Sequence, residues 1–235
     1  PGLANSSPIV WGNRIYITTA VSGAGDTTFL AGISGNIRSH EDVSEHSFKL
    51  YALDASNGSI VWEQEVHKGV PRTKRHPKAS HASSTAVTDG QRIVVLFGNA
   101  GILASYDLNG QQIWKKDLGT IDMGYSLDPT AQWGHSSSPV LYQNSTIVQI
   151  DQLKGSYIAA FNLADGAELW KTMREDETTS WGTPAVVSGS AGDELITNGT
   201  KVRGYDPKTG KLRWTLAPNS LIAIPTPITG GGLVY

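Results

Sequence analysis

The stretch "LYALDASNGSIVW" (residues 50–62) returns three times along the chain, as "LASYDLNGQQIW" (103–114), "AAFNLADGAELW" (159–170) and "GYDPKTGKLRW" (204–214). Aligned on the glycine, the copies share Ala52, Gly58 and Trp62; Ala104, Gly110 and Trp114; Ala160, Gly166 and Trp170; and Gly204, Gly210 and Trp214. The common spacing is small-x5-Gly-x3-Trp. Alternating apolar residues before the turn, such as Leu50 with Ala52 or Ile158 with Ala160, read as half-buried strand. Asp54, Asp107, Asn162 and Asp206 supply side-chain acceptors that open a turn. The glycine supplies the positive φ of a tight hairpin, and the residues up to the tryptophan begin the return strand.

A second phrase lies between the copies: "SSPIVWGNRIYIT" (6–18), "SSTAVTDGQRIVVLFG" (83–98), "SSPVLYQNSTIVQI" (137–150), "GTPAVVSGSAGDELIT" (182–197) and "PTPITGGGLVY" (225–235). Each reads as strand, polar turn, strand. Together the two phrases make units of four short antiparallel strands. The tryptophans recur at intervals of 52, 56 and 44 residues. That period and strand count indicate β-propeller blades, and no segment has sustained helical periodicity. The blades are expected at about 7–62, 84–114, 138–170 and 183–214, with a fifth beginning at 225–235. All belong to one partial propeller domain spanning 1–235. A ring ending at that point is unfinished, so the sequence is expected to be part of a longer chain.

The small-x5-Gly-x3-Trp repeat resembles the tryptophan-docking motif of the quinoprotein-like (PQQ-repeat) β-propellers, across essentially the whole chain. Three copies match fully and the fourth carries Gly204 in place of alanine. The resemblance implies an all-β propeller of six to eight blades in which each motif tryptophan packs against the next blade. The family includes quinoprotein alcohol dehydrogenases, the lipoprotein propeller of the outer-membrane β-barrel assembly machinery (BamB), and uncharacterised exported bacterial propellers. "KRHPKASHASST" (74–85) and "WGTP" (181–184) are most similar to the last group. It therefore implies an exported bacterial protein of the periplasm or envelope.

Composition narrows the chemistry. The 235 residues carry 19 Lys and Arg against 21 Asp and Glu, a net charge of −2 that gives no general attraction to nucleic acid. No apolar run is long enough to span a bilayer. Cysteine is absent, which removes thiolate nucleophiles, Cys-ligated zinc and disulfides. No GxSxG, HExxH or EF-hand pattern occurs, and "SGAG" (22–25) and "GNAG" (98–101) read as turn glycines. Asp122, Asp128, Asp151 and Glu175 to Glu177 read as solvated loop acids rather than cation ligands. Asn5, Asn57, Asn144 and Asn198 stand in Asn-x-Ser/Thr triplets that read as turn chemistry.

In a four-stranded blade the second-to-third loops and the blade-to-blade crossovers share one side. Here the long segments, at about 20–48, 66–83, 115–136, 171–182 and 216–225, all fall there. Long loops on a rigid scaffold commonly carry function. The six histidines, His40, His46, His67, His76, His81 and His135, lie on or beside them. So does a basic stretch, Lys74, Arg75, His76 and Lys78. The candidate ligand set is Arg75, His76, His81, Trp133, His135 and Trp181, with no catalytic and no metal-ligating residue assigned.

The expected function is a non-catalytic scaffold or binding propeller that offers this loop-rich side to a protein or small ligand, without a cofactor. The alternatives are a quinoprotein-like oxidoreductase, which would use PQQ with calcium, and a carbohydrate-binding or carbohydrate-processing propeller. Family enzymes hold PQQ between a tryptophan and a vicinal-cysteine disulfide, which this cysteine-free sequence does not supply.

Overall fold

The computed structural model describes residues 2–30, 38–189, 192–230 and 233–235. Part of the loop expected between 20 and 48, residues 190–191 of the turn expected within 182–197, and residues 231–232 of the last segment lie outside them. Twenty strands and no helix are found among the described residues. They fall into two compact units, residues 1–135 and 136–235.

The first unit begins with β1 (Ile9–Trp11), β2 (Arg14–Ser22), β3 (His46–Asp54) and β4 (Ile60–Gly69), paired in chain order as one antiparallel sheet. A second sheet follows, with β5 (Val87–Thr88), β6 (Arg92–Phe97), β7 (Ile102–Asp107) and β8 (Gln112–Asp117). The unit ends with a hairpin of β9 (Gly124–Tyr125) and β10 (Asp128–Gln132). Sequence reading leaves that segment as loop, because "GYSLDPTAQ" lacks apolar alternation and the pair is irregular between Asp128 and Gln132. Tyr16, Phe48, Leu50, Ile93, Val95, Phe97 and Tyr106 form the buried core of this unit.

The second unit holds β11 (Val140–Tyr142), β12 (Ser145–Ile150), β13 (Tyr157–Asn162) and β14 (Glu168–Met173) in one sheet. The next sheet is β15 (Ala185–Gly189), β16 (Gly192–Thr197), β17 (Val202–Tyr205) and β18 (Leu212–Leu216), and β19 (Thr229–Gly230) pairs with β20 (Leu233–Val234). Its core joins Tyr142, Ile147, Ile158, Ala160, Leu195 and Tyr205. Second and third strands such as β12 and β13 are buried on both faces, whereas β14 alternates between exposed and half-buried. Each four-stranded sheet is thus an in-order meander with a polar outer strand, the form of a propeller blade.

The repeated phrase forms one device, built four times. Asp54, Asp107, Asn162 and Asp206 each accept the backbone N–H two residues on, at 2.8–2.9 Å. Gly58, Gly110, Gly166 and Gly210 all take positive φ. A bulge then leaves the residue before each tryptophan, Val61, Ile113, Leu169 or Arg213, without a partner on the neighbouring strand. Such an extra residue re-aims the side chain that follows.

Within each unit the re-aimed ring reaches the neighbouring blade. Trp62 Nε1 donates to Leu108 O at 3.0 Å, and Trp170 Nε1 donates to Pro207 O at 3.2 Å. A Cβ on Gly110 would stand 2.9 Å from Trp62, and one on Gly210 would overlap Trp170. The glycine of one blade therefore serves its own hairpin and clears space for the previous blade's indole. Trp214 behaves differently. Its ring lies over Gly204 of its own sheet, where any Cβ would overlap the indole, and its Nε1 donates to Glu194 at 2.8 Å. This accounts for the glycine at the position where the other copies have alanine.

The second phrase also has a physical role. The Ser7 N–H donates to Thr85 Oγ1 and the Ser138 N–H to Thr183 Oγ1, each at 3.0 Å. Each hydroxyl precedes a blade's first strand and ties it to the same point of the blade before.

Candidate functional site

Five of the six candidate residues, Arg75, His76, His81, Trp133 and His135, come together in the first unit. There the β2–β3 loop, the β4–β5 crossover, the β6–β7 loop and the segment around β9 and β10 meet. Trp181 belongs to the second unit, where its N–H donates to Ala223 O at 2.8 Å. The meeting of the loops is largely polar. His40 and Arg75 form a backbone bridge, Ser39 Oγ accepts the Gln132 N–H at 2.7 Å, and Gln132 Oε1 accepts the Lys74 N–H at 3.0 Å.

Arg75 is buried, and its guanidinium is spent on carbonyls. It donates to Ala79 O and Thr28 O at 2.9 Å and, at 3.5 Å, to His76 O. Burial lowers its pKa, and Asp26 and Asp42 oppose that shift. Asp26 accepts the Thr28 N–H and pairs with His40 at 2.7 Å, and these contacts hold its carboxyl well below the usual range.

His81 and His135 converge on Asn99. Asn99 Oδ1 accepts the His135 N–H at 2.6 Å, so its amide nitrogen is the group facing His81 Nδ1 at 2.7 Å. An amide nitrogen donates, so His81 Nδ1 accepts, the ring is neutral, and its proton sits on Nε2. Burial, with His46 and Arg75 nearby, brings the His81 pKa down to about 3. Two glycines make this approach possible. A Cβ on Gly98 would overlap the His135 ring, and one on Gly134 (φ +78°) would stand 2.7 Å from Asn99. The "GNAG" glycines are turn glycines, as read from sequence, and Gly98 also brings two loops into contact.

His76 and Trp133 are half-buried. The His76 N–H donates to Trp133 O at 3.0 Å, and the two rings meet edge to face at 5.7 Å. Trp133 stacks on Tyr125 at 4.7 Å, so the hairpin that sequence reading leaves as loop supports one of its candidate residues. The same loops carry exposed apolar side chains: Phe29, Leu30, Val43, Val70 and, at the β9–β10 tip, Leu127 at 72 % exposure.

Two of the expected solvated acids are not solvated. In the second unit Asp151 and Glu177 are buried. Arg174 donates to Asp151 from Nε at 2.7 Å and from Nη2 at 3.0 Å, and to Thr197 and Tyr205 hydroxyls at 2.8 Å. Glu177 pairs with Arg203 and accepts the Thr200 N–H at 2.6 Å. A Cβ on Gly199 would press on the Glu177 carboxylate. Arg174 also pairs with Glu177, three residues on, at 3.4 Å, but sequence reading missed the network because Asp151 and Arg174 lie 23 residues apart and Glu177 and Arg203 lie 26 apart. Among the described residues no three His, Asp or Glu side chains gather as a metal site. Cysteine is absent from the sequence, so the disulfide side of the family's PQQ sandwich has no residues in this chain.

The family model described as outer membrane protein assembly factor BamB matches residues 2–152 and 154–235. Tetrathionate hydrolase of Acidithiobacillus ferrooxidans is 24 % identical over 97 % of this chain and 44 % of that protein. The chain thus spans less than half the length of that curated relative. Among solved structures, a europium-containing methanol dehydrogenase is similar with a TM-score of 0.59 and 12 % identity, over 94 % of this chain and 44 % of the other. BamB from Moraxella catarrhalis gives 0.50 and 16 %, over 95 % and 67 %. These likenesses show an all-β propeller fold. No helix among the described residues is long and apolar enough to cross a membrane.

Proposed function

The chain belongs to the PQQ-repeat propeller family of the outer membrane protein assembly factor BamB, and from that premise we propose that it is a non-catalytic scaffold of the bacterial envelope. Its loop side takes a protein partner. One observation carries this reading. The loops of the first unit are tied together from within by Arg75, His81, His135 and Asn99, while Phe29, Leu30, Val43, Val70 and Leu127 stand exposed on them. Exposed apolar side chains on a rigidly braced surface suit protein association better than proton transfer. The ring pair His76 and Trp133 supplies an aromatic anchor of the kind that dominates interfaces. The dehydrogenase and hydrolase relatives support an enzyme reading only through likeness over less than half of each relative's length.

The test is site-specific photocrosslinking in the native host. A photoreactive residue at Leu127 is expected to give one discrete protein adduct, and the same residue at Asn57, on the opposite turn, none. Equal labelling at both positions, or none at Leu127, removes this reading.

A further inference from the structure

The first blade ends, on its loop side, in a buried pair of opposite chemistry. His46, the first residue of β3, is paired with Ser22 at the end of β2 and with Gly69 at the end of β4. The segment before it is tied down by short polar bonds. The Ser44 N–H donates to Asp42 Oδ1 at 2.9 Å, the Ser22 and Ser44 hydroxyls meet at 2.8 Å, and the Gly23 N–H donates to Glu45 O at 2.7 Å. Inside these bonds His46 Nε2 stands 3.4 Å from Asp42 Oδ2, with the two side chains 4 % and 5 % exposed.

Asp42 Oδ2 is buried and makes no hydrogen bond. Burial raises the Asp42 pKa, and bonds from Ser44 and Ser22 together with His46 outweigh it, so the carboxyl titrates below its ordinary value and is ionised near neutrality. A buried carboxylate needs a counter-charge. The Arg75 guanidinium acts on Asp42 only at a distance, since its bonds go to the carbonyls of Ala79 and Thr28. Among the described residues the one ion pair of Asp42 is with His46. Both nitrogens of that ring face acceptors. Nδ1 lies 2.9 Å from Ser44 O, a carbonyl that can only accept, so Nδ1 carries a proton. Nε2 faces the carboxylate, and without a proton of its own it would set one buried acceptor against another.

His81 is held in the opposite state. It meets His46 edge to face at 4.9 Å, and its Nδ1 accepts from the Asn99 amide, which keeps that ring neutral. The other titratable or charged groups near the two rings are Arg75 and His40, which act on His81, Asp26 beside His40, and His67, which packs on Phe48 as His46 does. Glu45 and Lys68 pair with each other at the exposed rim.

We propose that Asp42 and His46 form a proton-operated latch on the β2–β3 loop, closed while His46 is doubly protonated beside a neutral His81 and released when the Nε2 proton leaves. Base takes that proton to solvent, and Asp42 Oδ2 is left buried against a lone pair, which favours turning the loop end out to water. Nitrogen–proton correlation spectra of the imidazoles in the whole chain read the ring states, and amide hydrogen exchange reads the latch. At about pH 7, His46 is expected to show two protonated nitrogens and His81 a proton on Nε2 alone. On raising the pH to about 10, His46 is expected to become neutral and the exchange protection of the Gly23 and Ser44 amides to fall at least about tenfold, while β6 keeps its protection. Gln does not titrate, so in His46→Gln the Gly23 amide is expected to be equally protected at both pH values. Asp42→Asn, which removes the charge that Nε2 faces, is expected to leave His46 neutral at about pH 7. The proposal is overturned by a singly protonated His46 in the wild type at about pH 7, by a proton that leaves His46 with no change in protection, or by the same alkaline loss in His46→Gln.

Discussion

Gly58 and Gly210 occupy the same place in the repeat and nearly the same backbone conformation, with φ of +74° and +69°. Their surroundings differ. Nothing lies within 4 Å of a Cβ built on Gly58, whereas Trp170 and Thr172 occupy that space at Gly210. Gly58→Ala should therefore cost only the left-handed backbone term, about 1 kcal/mol. Gly210→Ala adds overpacking and should cost about 2–4 kcal/mol. Urea midpoints of the two variants check the difference, and equal midpoints would refute the shared-glycine account. His81 yields a pH prediction at the same scale. Its folded pKa of about 3 lies below the unfolded value near 6.5. Below pH 6.5 the unfolded chain takes up a proton that the folded ring refuses, so stability falls as pH drops from about 6.5 to 3. The slope from this one site is at most about 1.4 kcal/mol per pH unit. Urea unfolding of wild type and His81→Gln at pH 7.5, 6 and 5 should show a shallower loss in the variant.

At the level of the element, the bulge before each tryptophan decides which way the indole goes, and the neighbouring turn decides what it meets. Trp170 is lodged against Gly210 and Pro207, so Trp170→Ala should cost about 3–5 kcal/mol. Trp214 is 38 % exposed and rests on its own sheet. Trp214→Ala should cost about 1–2 kcal/mol. Denaturant titration of both variants gives the order, and a larger loss at Trp214 would contradict the docking account. The hairpins, their turn acceptors and the tryptophans were legible because local spacing encodes them: Asp54, Gly58 and Trp62 lie within nine residues. One local detail was also open to reading. Asp107 stands one residue later after Ala104 than Asp54 does after Ala52, and the Gly110 N–H bonds Asp107 O across a turn one residue shorter. The bulges were not legible, because an unpaired residue has no composition of its own. Nor was the burial of Asp151 and Glu177. That depends on Arg174 and Arg203 arriving 23 and 26 residues away in sequence. The grouping of five candidate residues on the loops followed from blade topology, but their use of Asn99 and Tyr125 did not. No spacing links position 99 to 81 and 135 or position 125 to 133.

For the molecule as a whole, the question is what a member of a family with both scaffolds and enzymes can do with these side chains. A redox cofactor of the family type needs a sandwich for its ring system and hard ligands for its cation. The sequence contains no cysteine, and Asp151 and Glu177, two acids at loop ends, are already committed to arginines. Releasing either one would strip a buried guanidinium of one of its two carboxylate partners, since Arg174 is shared between Asp151 and Glu177 and Arg203 between Glu177 and Asp176, and breaking a buried pair is costly. The Arg75 guanidinium and the His81 ring are likewise engaged with carbonyls and with the Asn99 amide, so recruiting them would loosen the loops they hold. Titration of the chain with PQQ and calcium is therefore expected to give no saturable rise in melting temperature and no bound-quinone absorbance. The linkage relation makes this a sensitive readout. A ligand at a hundred times its Kd stabilises the folded state by about 2.7 kcal/mol, a shift of several degrees for a chain of this size. A saturable shift together with the quinone spectrum would overturn the scaffold reading and direct attention to Trp133 and Trp181. A flat titration leaves the exposed apolar side chains of the loops as the feature that most needs a partner.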